Sequence, residues 1–195
     1  MLGQSDTPVF LARGPAMWLR VSPVKVLSEK LKAPALEPHM LPLTSLPQFG
    51  CPNAALLQSR DGIGWCLPGS DGPTPTVVYV FTDGEIWAID TWPLDLEQRL
   101  IPLDEVGLSQ TLDQCARFLD KVGAKGKYRW LAGFESVKGR SIMPPNMRFP
   151  RGPCEEELIE ESGEFTLGED AGAALEPLFG RVFDCCRVDR PTRAS

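Results

Sequence analysis

Apolar and polar positions alternate most regularly over residues 77–90, VVYVFTDGEIWAID. Val77, Val78, Tyr79, Val80 and Phe81 are β-branched or aromatic residues that fit a pleated, packed surface. The Asp83-Gly84 pair then interrupts the run and suits the positive φ angles of a two-residue type I′ turn. Beyond it, Ile86, Ala88 and the Thr91 side alternate with Trp87, Ile89 and the acids Glu85 and Asp90. The pattern predicts an antiparallel hairpin with strands near 76–82 and 85–91. Residues 16–22, AMWLRVS, alternate in the same way and predict a strand stopped by Pro23. A second hairpin is predicted where AALLQS and IGWCLP flank Arg60-Asp61-Gly62, with Asp61-Gly62 marking the turn. Residues 127–137, KYRWLAGFESV, predict a further strand. In the acidic run 155–170, Leu158 and Ile159 lie on one side of Ser162-Gly163, and Phe165 and Leu167 on the other. That arrangement predicts two short strands joined by a turn.

Elsewhere the apolar period lengthens to that of a helix. Leu108, Leu112, Cys115, Leu119 and Val122 recur at steps of four and three, while Gln110, Asp113, Gln114, Arg117 and Asp120 face away. This predicts an amphipathic helix starting near 103 or 108 and closed at Gly123, a residue type favoured at left-handed caps. Leu175, Leu178, Phe179, Val182, Phe183 and Cys186 share a second stripe. Asp170 suits its cap, and Pro177 suits a first turn if the helix starts later. Residues 24–32 predict a short third helix. Pro34, Pro38, Pro42, Pro47 and Pro52 then predict an irregular segment, because proline removes backbone donors. Residues 70–76 and the Pro-rich 141–153 read as loops. The order of elements predicts an α+β fold: an antiparallel sheet built from β-hairpins, with two main amphipathic helices on one face. Residues 16–187 form one domain in this reading, between a flexible segment 1–15 and a flexible tail 188–195.

Composition narrows the partners. The chain has 195 residues, 43% of them hydrophobic, enough for a core, and carries a formal net charge of −6. That charge disfavours direct nucleic-acid binding, which relies on clustered Lys and Arg. No apolar run approaches the ~18 residues of a membrane span, and the N-terminus lacks the pattern of a secretory signal, so a cytoplasmic setting and no membrane partner are expected. The six cysteines, Cys51, Cys66, Cys115, Cys154, Cys185 and Cys186, include no C-x-x-C pair and fit no zinc spacing. They read as reduced, buried thiols, with Cys185-Cys186 redox-sensitive if exposed. A Ser-His-Asp triad or a histidine metal site would have to use the single histidine, His39, which lies in a Pro-rich loop. No cofactor is predicted.

Two constellations carry candidate chemistry. GFESVKGRS, residues 133–141, follows a strand as a phosphate loop does. Yet five residues separate its glycines, Arg140 replaces the lysine, and Met143-Pro144-Pro145 replace the helix start, so a P-loop is set aside. The segment still gathers Glu135, Lys138 and Arg140 beside Arg129 and Trp130, with Trp87 in the same sheet. Cations beside a Trp at a strand end suit an anion or a base, so Arg129 and Arg140 would contact an anionic group and Trp130 would stack. The alternative is a metal-dependent hydrolase or nuclease pairing Asp90 with a member of the Glu155, Glu156, Glu157, Glu160 and Glu161 group. Such chemistry needs a partly buried carboxylate; solvated glutamates along an edge strand would instead discourage sheet aggregation.

The phrases GPAMWLR (14–20), GEIWAIDT (84–91), YRWLAGFESVKGR (128–140) and GPC (152–154) together resemble the C-terminal region of bacterial proteins with an N-terminal Schlafen-like, Alba-type putative DNA-binding domain. The resemblance spans about residues 14–187. That family's nucleotide and nucleic-acid residues belong to the N-terminal domain, which has no counterpart in this sequence, so none is carried over. The resemblance implies an accessory or sensing domain attached to, or standing apart from, a nucleic-acid module. Taken with the residues above, the sequence predicts a non-enzymatic domain that binds a ligand, such as an anionic small molecule, or a protein partner.

Overall fold

The computed structural model describes residues 14–25, 27, 29–40, 43, 46, 49, 54–67, 74–91, 99–101, 103–143 and 149–190. Residues 1–13 of the expected flexible segment 1–15, parts of the Pro-rich loops, Cys51 and residues 191–195 of the expected tail 188–195 lie outside them. Seven strands form one antiparallel sheet: β1 (Ala16–Pro23), β2 (Ala55–Ser59), β3 (Gly62–Cys66), β4 (Thr76–Phe81), β5 (Ile86–Asp90), β6 (Lys127–Glu135) and β7 (Leu158–Thr166). Their spatial order is β2-β3-β4-β5-β1-β6-β7. The first strand in sequence therefore lies inside the sheet, between β5 and β6.

Alternation assigns the two faces. Met17, Leu19 and Val21 of β1 join Val78, Val80, Ile86, Ala88, Tyr128, Trp130, Ala132 and Phe134 in the main core. The helices cover this face. Helix α2 (Glu105–Lys121) is capped by Asp104, whose side chain accepts from the Gly107 amide, and it buries Leu108, Leu112, Cys115, Ala116 and Leu119. Gly123 follows it at φ +94°, in the left-handed region expected of it. The C-terminal stripe divides into α3 (Ala171–Ala174), capped by Asp170, and α4 (Glu176–Cys185), with a proline in its first turn. Both start signals in the sequence are thus used, one for each helix. The α+β architecture with its helices on one face is as the sequence predicts.

The opposite, outer face carries a smaller cluster of Ala16, Trp18, Cys66, Val77, Tyr79 and Ile89, with Leu57, Phe81, Trp87 and Leu131 packed partly buried against it. Glycines make this face and its counterpart close-packed. A Cβ at Gly62 or at Gly64 would come within 2.6 Å of the Tyr79 ring, and one at Gly133 would come within 2.8 Å of Trp18. On the helix face, a Cβ at Gly163 would meet the Trp130 indole at 2.8 Å. In each case an aromatic ring lies flat over the glycine of a neighbouring strand, and burying the ring there offsets what glycine costs in a strand.

This packing explains where the sequence reading of turns departs from the structure. Gly163 is no turn residue: β7 runs unbroken through it, paired to β6 with Gly163 opposite Trp130. Gly62 begins β3 rather than completing the turn, which is formed by Arg60 and Asp61. In the β4–β5 hairpin the connection is not a two-residue turn. It has four residues, Thr82, Asp83, Gly84 and Glu85, of which Gly84 alone has positive φ, +89°. Asp83 instead accepts the Glu85 amide at 3.0 Å, the local bond that suits Asp to turns.

Two further expectations are corrected. The described residues of 24–32 form no helix; a short helix α1 (Ala33–Leu36) and a 3-10 turn (Glu37–His39) occupy the Pro-rich stretch instead. Proline serves there as a first-turn residue, where its missing N–H costs nothing. Nor are residues 188–190 loose. Val188 donates to the Phe183 carbonyl at 3.1 Å, and Arg190 bonds Glu105 of α2 at 2.8 Å, pairs with Glu176 of α4 and lies over the Phe179 ring at 5.4 Å.

Two substitutions in glycine separate these roles. Gly163→Ala forces a methyl group into the buried Trp130 ring and is expected to destabilise by about 1–3 kcal/mol, as overpacking does. Gly180→Ala, in α4 with nothing within 4 Å, is expected to stabilise by about 0.5–1 kcal/mol. Urea denaturation of both variants checks the pair; equal effects would contradict the packing described for Gly163.

Candidate functional site

The outer face concentrates its polar contacts around Trp87. Tyr79 and Phe81 meet edge to face with centroids 4.8 Å apart, and Phe81 meets Trp87 in the same way at 5.2 Å. Strand pairing sets Arg20 of β1 directly opposite Trp87 of β5. Its guanidinium lies 5.0 Å from the indole centroid, within cation–π range. Arg20 Nε donates to Glu85 Oε1 at 2.6 Å, and the Trp87 Nε1–H donates to that same oxygen. One carboxylate thus fixes both the indole and the guanidinium, leaving Trp87 and Arg20 each half-buried at the surface. At the end of the same row, Ser59 and Tyr79 hydroxyls bond at 2.8 Å.

The residues expected to form a site divide between the two faces. Arg129 is exposed on the outer face, opposite Ser22 and Glu164 and diagonal to Arg20. A diagonal neighbour in an antiparallel pair is roughly 7–8 Å away, within reach of two long side chains. Glu135 is on this face too, but at the far end of β6, opposite Ala16 and Leu158. Trp130 points the other way and is fully buried over Gly163, so it offers no stacking surface; in an alternating strand it cannot share a face with Arg129. After β6 the chain turns through residues 137–140, with the Arg140 amide donating to the Val137 carbonyl at 3.0 Å. This turn points Lys138 outward and buries Arg140, which is only 6% exposed. The structure therefore places Trp87 and Arg129 on the same face with β1 and Arg20 between them, adds Arg20 and Glu85 at Trp87, and withdraws Trp130 and Arg140.

The paired-carboxylate arrangement does not assemble. Asp90 lies on the helix face, opposite Met17, and the register continues to Phe134 and Ile159. Three strand spacings, about 14 Å, separate it from the start of β7. Glu155 and Glu156 bond Arg187 and Arg181, at 2.7 and 2.8 Å. A polar groove of about 360 Å³ between α2 and the start of α3 includes the Arg117–Asp113 ion pair, whose charges satisfy each other.

Burial governs the titratable groups around these faces. It pushes the Cys115 thiol up to about 12, and raises Cys66 against a smaller opposing effect from Thr74. It also raises Tyr79, with the Ser59 hydrogen bond opposing and the charge of Asp61 adding. Tyr128 is raised by burial and by the charge of Asp120.

Comparisons with protein-family models, with curated proteins and with solved structures find no match. Among the described residues no helix is long and apolar enough to cross a membrane.

Tyr79 and Tyr128 are the chain's two tyrosines, which gives a pH test. Both hold their protons more tightly folded than unfolded, so their contribution to stability is complete below pH 10 and declines as pH rises beyond it. The tyrosinate absorbance at 295 nm is expected to appear only above pH 10 and together with loss of structure. A tyrosine ionising at 10 or below in the intact fold would contradict this.

Proposed function

We propose that this chain is a non-enzymatic binding domain that takes an anionic, planar small molecule on the outer face of its sheet. Trp87 supplies the stacking face, and Arg20 and Arg129 meet the anionic group. The observation that carries this reading is Glu85, which holds the indole and the guanidinium over it in place at the surface before any ligand arrives. Preorganised side chains lose less freedom on binding. The Arg–Glu pairing on this face also suits recognition better than proton transfer, because the charges are already matched.

In the same reading the domain works in the cytoplasm, supported by five free cysteines among the described residues, as expected where thiols stay reduced. The resemblance of its sequence phrases supports an accessory or sensing place beside a nucleic-acid-binding module. The net charge of −6 favours a small ligand over nucleic acid on this domain itself.

A thermal-shift screen with nucleotides, aromatic carboxylates, divalent metals and short DNA and RNA tests the proposal, since a ligand of the folded state raises Tm. A saturable rise with one planar anion is expected, lost in Trp87→Ala and weakened at least roughly tenfold in Arg129→Ala, the scale of one charge-assisted hydrogen bond. A rise that survives both substitutions would place binding elsewhere and refute this site. No rise with any planar anion would refute the ligand class and leave a protein partner as the next occupant to test.

A further inference from the structure

The three cysteines nearest the C-terminal end of α4 converge although the chain separates two of them from the third by more than thirty residues. Cys185 ends α4, and Cys186 follows it. Cys154 is brought to them by a frame of backbone hydrogen bonds. Its amide donates to the Arg140 carbonyl at 2.6 Å, and its carbonyl accepts the Gly139 amide at 2.9 Å. The next amide, of Glu155, donates to the Cys185 carbonyl at 3.2 Å. The loop is closed again by the reciprocal Ile142–Arg151 pair, both bonds 2.8 Å.

The result is a compact sulfur cluster. Cys154 and Cys185 Sγ atoms lie 2.7 Å apart, Cys185 and Cys186 Sγ atoms 3.7 Å apart, and all three fall within 4.8 Å of one another. Exposure of the three residues is 1%, 5% and 3%. Arg151, Gly152 and Pro153, just before Cys154, are exposed, so the cluster lies one layer beneath the surface.

We propose that Cys154, Cys185 and Cys186 form a three-thiolate site for a soft metal ion of low coordination number, with Cu(I) as its chemical class. This goes beyond the outer-face reading and does not rest on it. Geometry supports the site. With metal–sulfur bonds of about 2.3 Å, a trigonal arrangement has sulfur–sulfur edges of roughly 4 Å. The 3.7 Å edge and the 4.8 Å limit bracket that value, and only the Cys154–Cys185 edge must open, by rotation of one side chain. Ligand type supports the ion. All-sulfur donors select Cu(I), zinc or iron–sulfur clusters, but zinc and iron–sulfur centres take four ligands. Among the described residues the cluster offers three, and its burial excludes water from a fourth position. A disulfide between Cys154 and Cys185 would account for the shortest sulfur contact and leave Cys186, 3.7 Å from Cys185, without a role. Binding would release the thiol protons to solvent as the thiolates form.

The test uses the whole reduced chain under anaerobic conditions, titrated with Cu(I) against bicinchoninate. One equivalent per chain is expected to leave the chelator, with a thiolate-to-copper absorption in the near ultraviolet. Cys186→Ser is expected to weaken binding by more than about 100-fold, beyond what loss of a second-layer partner costs a metal site. Cys66→Ala, on the other face of the sheet, is expected to bind as the parent does. Should the serine variant fail to fold, X-ray absorption of the copper-loaded parent decides, with three sulfur neighbours expected. Copper left on the chelator would overturn the proposal, as would fewer than three sulfurs, equal binding by folded Cys186→Ser, or uptake of Zn²⁺ in preference to Cu(I). A Cys154–Cys185 disulfide whose reduction yields no metal binding would replace it with a redox pair.

Discussion

Everything in this fold depends on β1 pairing on both sides. The chain makes two separate antiparallel sets, the meander β2–β5 and the pair β6–β7, and β1 is the strand that joins them. Its pairings connect Trp18 to Ile89 on one side and to Gly133 on the other. A strand in that position must be apolar on both faces, which Met17, Leu19 and Val21 provide toward the helices and Ala16 and Trp18 on the outer side. Arg20 is the exception. It keeps its charge at the surface by meeting Glu85 and Trp87 from the adjacent strand, and the one charged residue of the linking strand becomes the centre of the outer-face constellation.

A second constraint is close approach. Tyr79, Trp18 and Trp130 are too large to pack beside ordinary side chains in neighbouring strands, and glycines at 62, 64, 133 and 163 make room for them. These rings lie flat and dry, which is why they build the scaffold. Phe81, although Gly62 stands opposite it, and Trp87 remain partly exposed.

The helix-covered side has its own convergence at the end of α4. Backbone bonds from the 139–142 turn and from Glu155 anchor the loop that carries Cys154 against the helix terminus. Arg190, just beyond, ties the same helix to the start of α2 through Glu105. The C-terminal part of the chain therefore holds together three regions distant in sequence, and a change in the sulfur cluster would be felt by the loop, the helix end and β7 alike. The outer-face constellation and the cluster lie on opposite faces of the sheet and involve different strands.

Period and composition determined the class of fold. Alternation over residues 77–90 and 16–22, and the 3.6 spacing from Leu108 to Val122, depend only on local geometry and appear intact in the structure. Capping at Asp104, Asp170 and Gly123 is equally local. Tertiary structure decided what the glycines were for, because Gly163 looks the same in sequence whether it bends a chain or admits a ring from the next strand. It also decided which side chains meet. Period two places Arg129 and Trp130 on opposite faces, so their adjacency in sequence meant separation in space, whereas Arg20 and Trp87 met through strand pairing across 67 residues that no local pattern reports. The three sulfurs were hidden for the same reason: Cys154 reaches α4 only once the loop hydrogen bonds are formed.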